Sequence, residues 1–149
     1  MELGVKHSLN FNPIILGYIK FNNFGRHIGM EFNILSPGKI EYSITIKEFH
    51  LATPFAAHGG VLSALMDSVL GISALSLVCV DNKIVSTVEM KLNFLSPVKL
   101  GDTLVGRSTI LSKGNRIIVT EAEIVNQENI LVGKGMGTFN AYPKEKAGY

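Results

Sequence analysis

The feature that most constrains the fold is a run of twenty mostly apolar residues from Val61 to Val80, in which Asp67 is the only charged residue. This length suits a helix that spans a membrane. Against that, Asp67 is costly in lipid, four serines are scattered through the run, and no cationic flank lies beside it. The sequence therefore favours a helix buried in a protein core, and no membrane association is expected.

The rest of the chain indicates one domain. Its 149 residues, 46% of them hydrophobic, predict a single domain over residues 1–149 with a polar tail from about residue 143. The net charge is +2 without a basic block, so no nucleic-acid partner is expected. Cys79 is the only cysteine, and Met1–Asn12 lacks a signal-peptide pattern. These features predict a cytoplasmic location.

Alternating apolar and polar residues predict strands before and after the helix. A hairpin is expected from residues 31–35 and 40–47 around the turn Ser36-Pro37-Gly38. After the helix, the clearest strand carries four apolar residues on one face, namely Val88, Met90, Leu92 and Phe94.

Shorter patterns complete the prediction. Three further strands are expected at about residues 103–111, 116–126 and 130–141, separated by short turns. Residues 13–21 suit a short helix, and residues 24–30 suit a loop. Because short turns join antiparallel neighbours, we expect an α+β fold in which one antiparallel sheet wraps its apolar face around the long helix.

The start of the long helix is the first candidate for chemistry. At Ala57-His58-Gly59-Gly60, two glycines allow a ligand to approach the backbone closely. The N–H groups at this end, with the positive end of the helix dipole behind them, can hold the negative oxygen that develops when a thioester carbonyl is attacked. Glycines that only let the chain turn tightly into the helix are the alternative, and both readings stay open here.

Asp67 is the second candidate. A charged side chain inside an apolar helix loses hydration unless it is paired or serves a site. On a helical wheel it shares one face with small residues, among them Gly60, Ser63 and Gly71. Such a face leaves room for a substrate arm or for a second helix. A carboxylate that only makes a polar contact in the core is the alternative.

The spacing of the two candidates predicts a homodimer. Nine residues of helix between His58 and Asp67 correspond to about 13 Å of axial rise, so one chain cannot place both on one carbonyl. Two antiparallel copies of the helix can, with the Gly60 end of one copy beside Asp67 of the other. The expected assembly is a two-fold symmetric dimer with two composite sites.

At this point the chain resembles a known family. His58-Gly59-Gly60, then Asp67, the segment Val88–Pro97, and Gly101-Asp102 are similar to the hotdog-fold acyl-CoA thioesterases of the phenylacetate-degradation (PaaI-like) type. The similarity covers roughly residues 49–139. It implies the hotdog fold, a sheet wrapped around one long central helix. It also implies dimers paired into homotetramers, and hydrolysis of acyl-CoA without metal or cofactor.

The resemblance also implies residue roles. Asp67 would be the general base or the nucleophile, and Gly60 would donate to the oxyanion. His58 would help to orient the thioester, and Thr87 stands where the family often has a Ser or Thr that positions the attacking water. Gly59 and Ser63 would lie against the substrate.

The chain departs from the family before the helix. Where many members have an Asn and a Gly, it has Ala52 and Phe55, which predicts a change in rate or in acyl specificity. Phe55 is expected to narrow the pocket or to contact the acyl group. Thr53 is a candidate to replace the lost hydrogen bond, and His50 is either a loop residue or a ligand.

The remaining candidate site residues have weaker support from the sequence. The basic turn formed by Lys113, Gly114 and Arg116 either meets the phosphates of coenzyme A or is a solvated hairpin tip. His7 and His27 stand alone, so no metal site is expected.

Three functions remain for the chain. The first is hydrolysis, with Asp67 activating water or attacking to form an anhydride. The second is non-catalytic binding of acyl-CoA. The third, hydration or dehydration of acyl thioesters, ranks last because the His and acidic pair of dehydratases is not evident.

Overall fold

The computed structural model describes residues 7–148, which form three helices and six strands. Residues 1–6, which belong to the segment without a signal-peptide pattern, therefore lie outside the described part of the chain. The elements in chain order are α1 Pro13–Phe21, α2 Asn23–His27, β1 Glu31–Ser36, β2 Lys39–Thr45, α3 Gly59–Val78, β3 Lys83–Phe94, β4 Thr103–Lys113, β5 Ile117–Val125 and β6 Leu131–Pro143.

The six strands form one sheet in the order β1-β2-β4-β5-β6-β3. All five neighbouring pairs are antiparallel. The long helix α3 packs against β2 to β6 and supplies much of the core, with Leu65, Met66 and Val69 fully buried. The predicted α+β layout, a single antiparallel sheet around one long helix, is confirmed.

Three glycines of β6 let α3 lie close to the sheet. Gly133, Gly135 and Gly137 alternate along the strand and face the helix. A Cβ added to Gly135 would lie 2.8 Å from the sulfur of Met66 and 2.7 Å from a backbone oxygen of the neighbouring β3. Any side chain here would therefore push the helix and the sheet apart.

Polar residues of α3 hold the β1–β2 turn in place. The hydroxyl of Ser73 donates to the carbonyl of Gly38 at 2.9 Å, and the Gly38 N–H donates to Ser76 Oγ at 2.8 Å. Gly38 adopts a φ of +78°, which suits glycine. These bonds explain why two buried serines are tolerated in an apolar helix.

The apolar helix has the length of a membrane span. The segment Gly59–Asp81 passes that test by length and composition, with a mean hydropathy of 1.9. Yet 61% of its most apolar stretch is buried inside the fold. A core helix of this kind is what the scattered serines and Asp67 predict.

Two local predictions are wrong. Residues 24–30 are not all loop, since α2 covers Asn23–His27 and its start is capped by the Asn22 side chain, which accepts from the Gly25 N–H. The apolar face expected on β3 is also only half covered, since Met90 and Leu92 pack against the core while Val88 and Phe94 are exposed. The register shifts around Val88, leaving this residue 60% exposed, and Phe94 is 57% exposed. The reason is that β3 is an edge strand with a bulge.

Candidate active site

The helix α3 begins with His58 as its capping residue. The ring nitrogen Nδ1 of His58 accepts from the Gly60 N–H at 2.7 Å. A neutral imidazole that accepts at Nδ1 carries its proton on Nε2, so Nε2 becomes a donor. The Gly60 N–H expected for the oxyanion is thus engaged by His58. The N–H of Gly59, the first residue of α3, has no acceptor within the helix.

Asp67 and Thr87 meet across α3 and β3. The Thr87 hydroxyl donates to Oδ1 of Asp67 at 2.9 Å, although the two residues lie 20 positions apart in sequence. Both side chains are exposed in the single chain, contrary to the expectation of a desolvated carboxylate. The reason is that Asp67 lies beside the edge strand β3, which no further strand covers within residues 7–148. The pairing holds one carboxylate oxygen in place and leaves the other accessible.

The structure keeps the two halves of the predicted site apart. His58 precedes α3 and Asp67 lies in its third turn, and the helix runs without interruption between them. Nine residues of helix give about 13 Å of rise. Within a single chain, the helix start and the Asp67 carboxylate therefore cannot both contact the same thioester carbonyl.

Two clefts flank the start of α3. One, of about 340 Å³, lies between the residues before the helix and the end of β3, and includes His58, Gly59 and Phe94. The other, of about 700 Å³, lies towards α2 and includes His58, Gly60 and Phe24. Since His58 lines both clefts, a ligand in either one reaches the donors of the helix start.

The loop before α3 uses its own polar groups. Thr53 Oγ1 accepts from the N–H groups of Phe55 and Ala56 at 3.3 and 3.0 Å, so it stabilises the loop around Ala52. Phe55 is 81% exposed and is not among the residues that line the two clefts at the start of α3. Its contact with the acyl group stays a prediction.

His50 is a structural residue of that loop. Its side chain is 3% exposed, Nδ1 accepts from the Lys47 N–H at 2.9 Å, and Nε2 lies 2.9 Å from the Ile28 carbonyl. With Nδ1 accepting, Nε2 donates to that carbonyl. Both ring nitrogens are occupied, which favours the loop reading over the ligand reading.

The remaining candidates lie in different places. Ser63 turns its hydroxyl back to the carbonyl of Gly59 at 3.0 Å, beside the helix start. Lys113, Gly114 and Arg116 form the exposed tip of the β4–β5 hairpin. Lys83, the first residue of β3, reaches Asn115 in this tip, so the tip lies near the far end of α3. Its contact with coenzyme A phosphates stays a prediction.

A polar cluster beside Asp67 was not predicted from the sequence. The hydroxyls of Tyr18 and Tyr42 lie 3.0 Å apart, and Asn22 Nδ2 donates to both at 3.1 Å. Burial raises the pKa of Tyr18, and the negative charge of Asp67 contributes in the same direction. The signal in the sequence was a Tyr and an Asn four positions apart, which share one side of the end of α1.

Within residues 7–148, no three His, Cys, Asp or Glu side chains gather as a metal-binding group. His7 instead accepts from the Leu9 N–H and caps a short turn. Asp102, part of the motif behind the resemblance, accepts from Lys99 N and Gln127 Nε2 and holds the loop before β4.

A family model described as the thioesterase superfamily matches residues 56–132, a span that includes His58, Asp67 and Thr87. The chain belongs to the thioesterase superfamily. Human acyl-coenzyme A thioesterase 13 is 28% identical over 121 residues, which cover 79% of this chain and 84% of the relative. The prediction of a thioester hydrolase is confirmed.

Solved thioesterase-superfamily structures share the fold. The PaaI protein of the Escherichia coli phenylacetic acid degradation operon matches with a TM-score of 0.83 and 21% identity, over 92% of this chain and 95% of that one. A Streptococcus pneumoniae structure described as a hypothetical thioesterase with coenzyme A matches with a TM-score of 0.67 and 25% identity, over 77% and 87%. The predicted hotdog fold and PaaI-like resemblance are confirmed.

Proposed function

We propose that this chain hydrolyses acyl-CoA thioesters, with Asp67 as the reacting carboxylate, at a site that the His58–Gly60 segment of a second copy completes. The observation that carries the proposal is the 2.9 Å hydrogen bond from Thr87 to Asp67 Oδ1. This bond orients an exposed carboxylate on an apolar helix. A carboxylate that only made a polar contact in the core would be buried, so that alternative does not explain the exposed Asp67.

The carboxylate chemistry follows from this bond. With Oδ1 held by Thr87, Oδ2 is the oxygen that takes a proton from water as the water oxygen attacks the thioester carbon. The C–S bond then breaks, and the coenzyme A sulfur leaves and receives that proton. In the alternative route Oδ2 itself attacks the thioester carbon, the C–S bond breaks, and coenzyme A leaves as a thiolate that takes a proton from solvent. Water then opens the resulting anhydride to the free acid and the Asp67 carboxylate.

Donors at the start of α3 would stabilise the thioester oxygen. The Gly59 N–H and the His58 Nε2–H are the donors left by the capping bond, and the Gly60 N–H becomes a third if the His58 ring turns away. The positive end of the helix dipole adds to them. Such fixed donors act where charge develops in the transition state.

A dimer supplies both halves of the site. The helix rise of about 13 Å separates them within one chain. The twelve-residue strand β3 is a sheet edge, and within residues 7–148 no strand pairs with its outer side. A long edge with exposed apolar residues such as Val88 invites a second chain. Two-fold pairing there would bring the small-residue faces of two α3 helices together, and a homotetramer of such dimers remains a prediction.

The relatives support coenzyme A as the acyl carrier. The human relative is named an acyl-coenzyme A thioesterase, and the Streptococcus pneumoniae structure is described with coenzyme A. The basic tip around Lys113 and Arg116 stays a candidate for contact with the phosphates of coenzyme A.

The experiment follows free thiol release from short, medium, long and aromatic acyl-CoA substrates. We expect turnover by the wild type and a loss of at least about a hundredfold in Asp67→Asn, the scale of a positioned acid or base. Asp81→Asn, which removes an exposed carboxylate at the other end of α3, is the matched control and should keep full activity. Equal, slow rates for wild type and Asp67→Asn would instead favour a non-catalytic acyl-CoA binding module.

A further inference from the structure

The groove beneath α1 has no role so far. Six of its lining residues are Gly17, Tyr18 and Phe21 of α1, Leu75 of α3, Val85 of β3 and Tyr142 of β6. Its volume is about 690 Å³, within the range of small-molecule pockets. We propose that this groove, called the α1 groove below, binds the acyl chain of the substrate. The inference deepens the proposed function and rests on it.

Two walls of the α1 groove belong to the elements that carry Asp67 and Thr87. Leu75 lies eight residues after Asp67 on α3, about 12 Å further along the helix and about 80° around it. Val85 lies two residues before Thr87 on β3. The elements α3 and β3 therefore carry both the hydrogen-bonded pair of Asp67 and Thr87 and part of the lining of the groove.

Tyr18 connects the groove to the carboxylate. It lines the α1 groove, and burial raises its pKa, while a hydrogen bond with Ser68 lowers that pKa and the charge of Asp67 raises it. Its bonds to Tyr42 and Asn22 fix the end of α1 to β2. The roof of the groove is thereby held in place before substrate arrives, which lowers the cost of ordering it on binding.

The chemistry of the groove suits an acyl chain. Most of its walls are apolar or aromatic, so a hydrocarbon gains by leaving water there. A chain attached to a carbonyl at Asp67 cannot pass through the sheet side of α3, which Leu65, Met66 and Val69 fill completely. The coenzyme A arm would occupy the clefts at the helix start of the second copy. The α1 groove is the apolar space that we assign to the chain.

Gly17 provides a clean test because a Cβ added there meets nothing within 4 Å. Gly17→Phe adds a large side chain at the lining of the groove, where its Cβ meets no neighbour, and Gly17→Ala is the matched control. We expect Gly17→Phe to lose at least about tenfold in kcat/KM for dodecanoyl-CoA, the lower end of what apolar pocket contacts give. Acetyl-CoA, which is too short to reach Gly17, should change by less than about twofold.

A binding measurement separates this inference from the proposed function. The thioether dodecyl-CoA cannot be hydrolysed, and calorimetry compares its affinity with that of coenzyme A. A selective, at least about tenfold weaker binding of the thioether to Gly17→Phe supports the groove even if no thioester is hydrolysed. If the chain-length profile and the thioether affinity are the same in Gly17→Phe and Gly17→Ala, the inference is wrong. Loss of dimer in Gly17→Phe by sedimentation would also overturn it, since the groove would then be an interface.

Discussion

At the scale of single residues, the proposed role of Asp67 depends on the residue that orients its carboxylate. Its carboxylate is exposed on α3, and Thr87 is its hydrogen-bonded partner from β3. The sequence identified both residues, Asp67 by its charge in an apolar run and Thr87 through the resemblance. It could not predict that the Gly60 N–H is taken by His58, because the direction of a ring nitrogen depends on side-chain rotation.

The Thr87 hydroxyl has a testable role as a positioning group. We expect Thr87→Val, which keeps the shape and removes the hydrogen bond, to lower kcat by about tenfold to a hundredfold because Asp67 becomes free to rotate. Thr87→Ser retains the hydroxyl and should keep most of the activity. Steady-state kinetics on one good substrate checks both. If Ser fails as badly as Val, the methyl contact matters and not the hydrogen bond.

The buried tyrosines predict a pH dependence of stability. Burial and the neighbouring Tyr18 raise the pKa of Tyr42 above its ordinary value of 10.0. The folded chain then keeps a proton that the unfolded chain releases, so this stabilisation is fully present below about pH 10 and is lost as the pH rises further. Urea unfolding at about pH 9 and pH 11 should show a steeper loss in the wild type than in Tyr42→Phe. Parallel losses in the two proteins would contradict this.

At the scale of the elements, α3 and β6 were predictable but their close contact was not. The sequence predicted a strand at residues 130–141 from its apolar residues, and β6 covers Leu131–Pro143. The role of Gly133, Gly135 and Gly137 depends on which face of the strand meets the helix. The sequence of the strand alone does not show which face that is. The bulge at Val88 was missed for a related reason, since it depends on pairing with β6.

Gly135→Ala tests the close contact. A methyl group there meets the Met66 sulfur and a backbone oxygen of β3, and backbone cannot give way cheaply. We expect the free energy of unfolding to fall by about 1–3 kcal/mol, as for other overpacked cores. Gly17→Ala, in open space on α1, should be neutral or stabilising by up to about 1 kcal/mol. Urea unfolding of the two variants decides, and equal stabilities would refute the role of Gly135.

At the scale of the whole molecule, the proposed site needs two copies of the chain. Helix rise alone predicted this from the sequence, and the structure adds an exposed carboxylate and an exposed edge strand. The arrangement of the two copies could not be derived from the sequence, because it depends on how the surfaces of β3 and α3 fit each other.

Mixed dimers test the composite site most directly. Asp67→Asn and His58→Ala damage different halves, so a dimer of one chain of each has one site with both halves intact. Refolding an equal mixture should restore about a quarter of wild-type thiol release, since half of the dimers are mixed and each has one working site. Asp67→Asn mixed with Thr87→Val damages the same half twice and should restore nothing beyond its parents. If the first mixture is no more active than its two parents, each site lies within one chain and the central claim is wrong.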